Sequence, residues 1–157
     1  MNYIETHENA IKTKLESLNL SGVDVVVVPE KQAEYERPFI NGKITIAYAG
    51  SEFEGPDATD ISMHYEKITI GLAIQSKALR GNTGIYGIVN ACRKHLTGFR
   101  PDGFWQMAPK KIDLKSADYN NNLWTYYFEF ETKMEVVEVQ IDPDDPILTE
   151  IDFNINP

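Results

Sequence analysis

The chain has 157 residues, 42% hydrophobic and 25% charged, a composition typical of a single globular domain. Its 15 basic and 24 acidic residues give a formal net charge of −9, so a surface that grips nucleic-acid phosphates is not expected. The lone cysteine, Cys92, excludes an internal disulfide and a four-cysteine zinc site. Neither a signal peptide nor a membrane span is predicted, so we expect a soluble domain made inside the cell.

The charges are unevenly distributed along the chain. Residues 134–157 contain seven acidic residues and no lysine or arginine, whereas residues 77–115 contain eight basic residues and two acidic ones. Two interpretations stay open. Either the acidic end is a solvated tail, or the acidic and basic segments meet on one chain or between neighbouring copies.

The first two predicted elements are a helix and a strand. Apolar residues at helical spacing over residues 3–19 predict an amphipathic helix, which ends before Gly22. The β-branched residues 23–28 predict a strand covered on both faces, and Pro29 ends it.

Two long loops and two further strands follow. Residues 29–41 and 50–60 are rich in polar, glycine or proline residues and predict loops. Alternating apolar residues predict a strand over residues 43–49 between them. Residues 61–75 predict a third strand, with one apolar face formed by Ile68, Ile70, Leu72 and Ile74.

The second half predicts a second helix and two more strands. The helix begins with Asn82 or Thr83 as its N-cap, and its apolar face is formed by Ile85, Ile88, Val89, Cys92 and Leu96. Residues 104–114 predict an extended segment that Pro109 breaks, and residues 123–140 predict the longest strand. Aromatic residues alternate with polar ones along that strand, so one of its faces belongs to the core.

This order of elements predicts an α+β fold with two helices packed on one face of a mostly antiparallel mixed sheet. We expect the domain to cover residues 1–141 and an acidic C-terminal tail to cover residues 142–157. The last residues predict no further regular element.

Residues that often carry chemistry have ordinary structural explanations here. The glycines Gly81, Gly84 and Gly87 match neither a dinucleotide fingerprint nor a phosphate loop, and indicate helix entry and close packing. Cys92 and His95 are three apart on the second helix, but two ligands do not make a metal site, and Cys92 lies on the apolar face.

The acidic residues show no catalytic or calcium-binding pattern. Asp142, Asp144 and Asp145 lack the glycine and glutamate that a calcium loop requires. Glu129 and Glu131 share a strand face with lysine and threonine, which is typical of a solvated surface. We therefore predict no catalytic residue, no metal site and no cofactor, and the chain is not expected to be an enzyme.

Three segments carry a resemblance to a known family: an opening helix from Ile4 to Leu15 before a short valine strand, a strand ending in Ala73-Ile74-Gln75, and Gly84-Ile85-Tyr86-Gly87-Ile88 followed by Leu96-Thr97-Gly98-Phe99. In these the chain resembles the tail-terminator (tail-completion) proteins of Mu-like contractile-tailed phages and related contractile injection particles. The resemblance covers most of residues 1–140.

The resemblance implies a structural role. Such proteins form a ring, typically of six subunits, that caps the tail tube, stops its polymerisation and is joined to the head connector. The implied partners are other copies of the chain, the tail tube protein, possibly the sheath, and the head connector where a capsid exists. No specific nucleic acid and no membrane are implied. The implied location is the virion tail or injection particle, assembled in the bacterial cytoplasm.

A closed ring requires head-to-tail interfaces, in which one surface meets a different surface on the next copy. The candidate interface charges are Arg93, Lys94 and Arg100 in the basic segment, and Asp142, Asp144 and Asp145 in the acidic tail. Two alternatives remain: another phage or injection-particle component, such as a head–tail adaptor or baseplate part, and a small enzyme or ligand-binding domain.

Overall fold

The computed structural model describes residues 2–55 and 63–137, which form a five-stranded sheet and three helices. In chain order the elements are α1 (Tyr3–Glu16), β1 (Val23–Val27), α2 (Gln32–Tyr35), β2 (Gly42–Glu54), β3 (Met63–Ser76), α3 (Ile85–Leu96), β4 (Ala108–Asp118) and β5 (Leu123–Val137). The predicted α+β class is confirmed. The predicted acidic tail, residues 142–157, lies outside the described residues.

The sheet is mixed and mostly antiparallel. Its strand order is β1-β2-β3-β5-β4; β1 runs parallel to β2, and each of the other neighbouring pairs is antiparallel. In the central rows Ile44 lies opposite Ile74, which in turn lies opposite Tyr126. Because side chains alternate between faces, this register places the apolar residues of three strands on the same side.

The core lies between that apolar side and two helices. β2, β3 and β5 contribute Ile44, Ile46, Ile68, Ile70, Leu72, Ile74, Phe128 and Phe130, each at most 1% exposed. α1 adds Ile11 and Leu15, and α3 adds Ile85, Ile88, Cys92 and Leu96 to the same cluster. The prediction that two helices pack on one face is therefore confirmed.

The opposite side of the sheet, which we call the open face, meets the short helix α2 at one corner. Lys43 is 3% exposed there, and its Nζ donates to the carbonyl oxygen of Tyr35 at 2.5 Å. The same ammonium lies 5.3 Å from the centre of the Tyr35 ring. These contacts hold the segment between β1 and β2 against its own sheet, where the sequence predicted only a loop.

Two strands extend beyond residues that were expected to end or break them. β2 continues to Glu54 because an irregularity between Tyr48 and Gly50 shifts the register, and Gly50 adopts a φ of +135° that side chains disfavour. Pro109 lies inside β4, which tolerates it because an edge strand does not need every N–H group and the register shifts between Pro109 and Lys111. The predicted loop at residues 50–54 and the predicted break at Pro109 were wrong.

Three smaller expectations also differ from the structure. β1 is an edge strand with half-buried valines and an exposed Asp24, so it is not covered on both faces. α1 ends at Glu16, earlier than predicted. α3 has Gly84 as its N-cap and no side-chain cap, so neither Asn82 nor Thr83 has the predicted role.

The core assignment predicts a large loss of stability when Phe128 is truncated. Phe128→Ala removes a ring with 0% exposure and leaves a cavity, so the free energy of unfolding should fall by about 3–5 kcal/mol in urea denaturation. The matched control is Phe53→Ala, at a phenylalanine that is 66% exposed, and it should change stability by no more than about 0.5 kcal/mol. Equal effects of the two variants would contradict this placement of the core.

Candidate assembly surfaces

Cys92 and His95, the pair considered as metal ligands, lie in different environments. Cys92 is fully buried, and burial raises the pKa of its thiol to about 12, so the nucleophilic thiolate is strongly disfavoured. His95 is exposed on the last turn of α3. Within residues 2–55 and 63–137, no group of three or more histidine, cysteine or acidic residues is placed to hold a metal ion.

His7 is a second buried titratable residue. Its ring is 0% exposed and stacks on Phe104, with the ring centres 4.3 Å apart. Neither ring nitrogen has a hydrogen-bond partner within the described residues, and burial lowers the pKa of His7 to about 4. His7 is therefore neutral near pH 7 and packs as an aromatic residue of the core.

Gly84 and Gly87 serve close packing, as predicted, whereas Gly81 has open space beside it and adopts a φ of +94°. A Cβ atom on Gly84 would overlap the backbone of Arg80, and one on Gly87 would overlap the carbonyl oxygen of Gly81. The backbone of the segment that enters α3 therefore folds directly against the first turn of the helix.

The open face carries a network of ion pairs that crosses four strands. Lys67 lies 3.5 Å from Glu54 and 3.8 Å from Glu131, which is also 3.9 Å from Lys110. Lys133 donates to Glu54 at 3.2 Å. Lys133 and Lys67 hold the pKa of Glu54 below its usual range. Glu131 is thus a member of a solvated charge network, as the sequence predicted for this strand face.

β4 forms the edge of the sheet beside β5 and has two different faces. Its open-face side is basic. Lys110 reaches Glu131 on the open face, Lys115 lies over the ring of Tyr127 at 5.6 Å, and Lys111 is 3.1 Å from Asp113. Asp113 lies on the same side and is also 4.0 Å from Lys115. We call the side on which Lys110, Lys111 and Lys115 outnumber this one acid the β4 basic face.

The other side of β4 is apolar, and the described part of the chain leaves it about half exposed. Ile112 and Leu114 lie opposite Phe128 and Tyr126 on the helix side of the sheet, yet they are 42% and 52% exposed. We call Ile112 and Leu114 the β4 apolar face. Two edge-on aromatic pairs extend it, Tyr86 with Tyr126 at 6.4 Å and Tyr119 with Trp124 at 5.2 Å. Apolar side chains clustered in this way at a sheet edge make this side of β4 a candidate interaction surface.

The sequence prediction did not single out this two-faced strand. Its signal is the strict alternation from Lys111 to Lys115, which places isoleucine and leucine on one side and charged residues on the other. Sequence alone does not tell which side faces the helices, because the pairing with β5 decides that.

The structure describes the basic members of the predicted interface charges, which lie in two places. Arg93 and Lys94 are exposed on the last turn of α3, where the Arg93 guanidinium donates to Asn90 at 3.3 Å. Arg100 lies past the helix, donates to the carbonyl oxygen of Phe104 at 3.1 Å, and lines an open cavity of about 620 Å³ that also contacts the start of β4. The acids Asp142, Asp144 and Asp145 lie outside the described residues, so their pairing with these bases stays a prediction.

Comparisons with known proteins give a family and a fold. The family model described as Gp37 protein matches residues 12–154. A solved chain from the virion of a native gene transfer agent particle is similar in structure, with a TM-score of 0.52 and 11% sequence identity. That similarity covers 87% of this chain and 100% of the solved chain. No curated protein sequence matches. No helix of the described residues has the length and apolar character that crossing a membrane requires.

The burial of Cys92 predicts that its thiol does not react in the folded protein. With the pKa raised to about 12, modification by a chromogenic disulfide reagent at pH 8 should be slower than for the urea-unfolded chain by at least about 100-fold. The unfolded chain is the internal control, since it contains the same single cysteine. Rapid modification of the native protein would contradict a purely packing role.

The neutral, buried His7 predicts that acid destabilises the fold. The folded-state pKa of about 4 lies below the unfolded value of 6.5, so the unfolded chain binds a proton that the folded chain excludes. Excluding this proton costs no stability above pH 6.5. As the pH falls from 6.5 toward 4, the free energy of unfolding should fall by about 3 kcal/mol because of His7.

The variant His7→Leu should flatten this part of the pH profile of the free energy of unfolding. His95→Leu, at an exposed histidine, should keep the wild-type slope. A wild-type slope in His7→Leu would rule out His7 as its source.

Proposed function

The chain belongs to the Gp37 family, and we propose that it is a structural subunit of a phage-like virion tail or injection particle that caps the tail tube as a ring. The observation that carries the virion assignment is the fold shared with a virion chain of a gene transfer agent, over the whole length of that chain. The ring and the tube-capping role are the finer part of the proposal, and the family resemblance of the sequence supports them.

The surfaces of the subunit support an assembly role. Two residues that the sequence offered for chemistry have structural roles: Cys92 is buried in the core, and Glu131 belongs to an ion-pair network. His7, a further titratable residue, is also buried in packing. By contrast, the β4 apolar face leaves two aliphatic side chains in solvent at the edge of the sheet. Exposed apolar surface at a sheet edge favours binding to another protein.

The two edges of the sheet differ, which suits head-to-tail closure of a ring. β4 presents lysines and an apolar side, whereas β1 presents half-buried valines and Asp24. A ring needs such unlike surfaces, because each copy contacts its neighbours through two different patches. We place the candidate charges Arg93, Lys94 and Arg100 at one side of the interface, and Asp142, Asp144 and Asp145 of the next copy at the other.

The proposed partners follow from this role. They are other copies of the chain, the tail tube protein, a sheath where the tail has one, and a head connector where the particle has a capsid. A ring on a tube through which DNA passes has no need to grip the DNA, and the net charge of −9 suits such a surface.

The ring and its charges predict that self-association depends on concentration, salt and tail charge. Light scattering after gel filtration should show a mass that climbs toward six subunits as concentration rises. The variant Asp144→Lys with Asp145→Lys, like high salt, should weaken association several-fold because opposite charges steer and orient the subunits. The matched control is Glu34→Lys with Glu36→Lys, which reverses two exposed acids on and next to α2.

A strict monomer at every concentration that also fails to cap purified tail tubes would overturn the proposal. Binding to tubes also separates a tube cap from a head–tail adaptor or baseplate component. The cap stops tube elongation in vitro, and those components do not.

A further inference from the structure

We propose that residues 147–155 of one copy bind along β4 of the neighbouring copy, as an extended acidic segment laid on the free edge of the sheet. The inference rests on the proposed function insofar as a ring supplies the neighbour. It names the partner of the β4 edge as a C-terminal segment of a second copy of this chain.

The receiving surface is the outer edge of β4. Among the described residues, no strand pairs with β4 on the side away from β5. Its backbone N–H and C=O groups on that side are therefore available to a further extended segment. The two sides of such a segment would lie beside the β4 basic face and the β4 apolar face.

The sequence of residues 147–155 has two matching sides. Alternate positions on one side carry Ile147, Thr149, Ile151, Phe153 and Ile155, and those on the other carry Leu148, Glu150, Asp152 and Asn154. A period of two with one apolar side is the pattern of an extended segment that buries one face. The apolar side complements Ile112 and Leu114, and the acidic side complements the lysines of the β4 basic face.

Charge selects this occupant over a second β4 strand. Three lysines and Pro109 on β4 disfavour pairing between the β4 edges of two copies, because like charges would face each other and proline donates no hydrogen bond. A segment that has two acids and no basic residue is attracted to this side of β4, because three lysines there outnumber Asp113. The exposed β4 edge therefore disfavours pairing with β4 of another copy and favours binding of the acidic segment.

The path of the chain favours the neighbour over the same subunit. β5 ends at Val137, and residues 138–146 span at most about 30 Å when fully extended. A return to its own β4 must pass the segment that leads into β4, where the Trp105 N–H donates to the carbonyl oxygen of Lys133 at 2.8 Å. Connections rarely cross on the same edge of a sheet. A segment that arrives from an adjacent copy does not start at the end of β5 in the sheet that it joins, so it can reach the β4 edge without this crossing.

A charge-swap experiment on the full-length chain tests the pairing. Lys111→Glu with Lys115→Glu, and separately Glu150→Lys with Asp152→Lys, should each weaken self-association by about tenfold in sedimentation equilibrium. Combining all four changes should restore association to within about threefold of wild type, because opposite charges again face each other. Loss without restoration, or no loss, overturns the inference.

The control for the swap is Lys77→Glu with Arg80→Glu. These two bases are exposed and belong to the same basic segment of the sequence, but they lie in the segment between β3 and α3 and not on β4 itself. Association of this control should stay at the wild-type level. An equal loss in the control would mean that net charge alone controls association, which overturns the inference.

Cross-linking decides between the neighbour and the same chain. One full-length chain carries Leu114→Cys and a second carries Phe153→Cys, and the mixture is treated with a short bifunctional maleimide. The native Cys92 is buried with its pKa raised to about 12, so the introduced thiols are the reactive ones. A cross-linked heterodimer is expected. Its absence, in a mixture whose mass shows association, overturns binding to a neighbour.

The inference and the proposed function fail in different ways. If rings persist unchanged in the charge variants, the ring stands and the inference is wrong. If the wild-type chain forms no ring, a synthetic peptide of residues 147–157 is added to the full-length Glu150→Lys, Asp152→Lys variant. Saturable binding that changes the fluorescence of Trp124 on β5 supports the inference without a ring, and no binding overturns it.

Discussion

The register of β3 against β5 is the constraint on which the rest of the structure depends. The two strands pair without interruption from Met63 opposite Val137 to Ser76 opposite Trp124. Because residues alternate between faces, this register gathers the isoleucines and leucine of β3 and the phenylalanines of β5 on one side. A slip of one residue would turn that apolar set to solvent and bury the lysines and glutamates of the open face.

The same register explains why the two faces of the sheet have different uses. One face is closed by α1 and α3, and it absorbs His7 and Cys92 into packing. The other face keeps lysines beside glutamates, and Glu54 and Glu131 are paired with lysines there. What remains for recognition is the edge, where β4 extends beyond the cover of α3 and keeps both a basic and an apolar side.

The sequence predicts well where periodicity is strong and unopposed. The apolar stripe of α3 and the alternation in β3 and β5 are long enough to define type and face, and they led to the correct class and sheet character. Prediction from sequence fails where strand pairing continues through a residue that usually ends a strand. Gly50 is accommodated by a register shift, and Pro109 by its position in an edge strand. The interface charges could be proposed from sequence only as segments, because the distance of Arg100 from Arg93 and Lys94 depends on the path of the chain after α3.

The pairing of β3 with β5 also has a kinetic consequence. β4 and β5 are joined by a short turn, and β2 and β3 follow each other in the chain, so each pair is a local contact. Strands β3 and β5 are separated by α3 and β4, so their pairing closes a long loop before it gains any burial. We therefore expect the meeting of the two hairpins to limit the folding rate. Until they meet, each hairpin leaves one edge of a long apolar strand, β3 or β5, without its neighbour, and newly made subunits are open to aggregation during that interval.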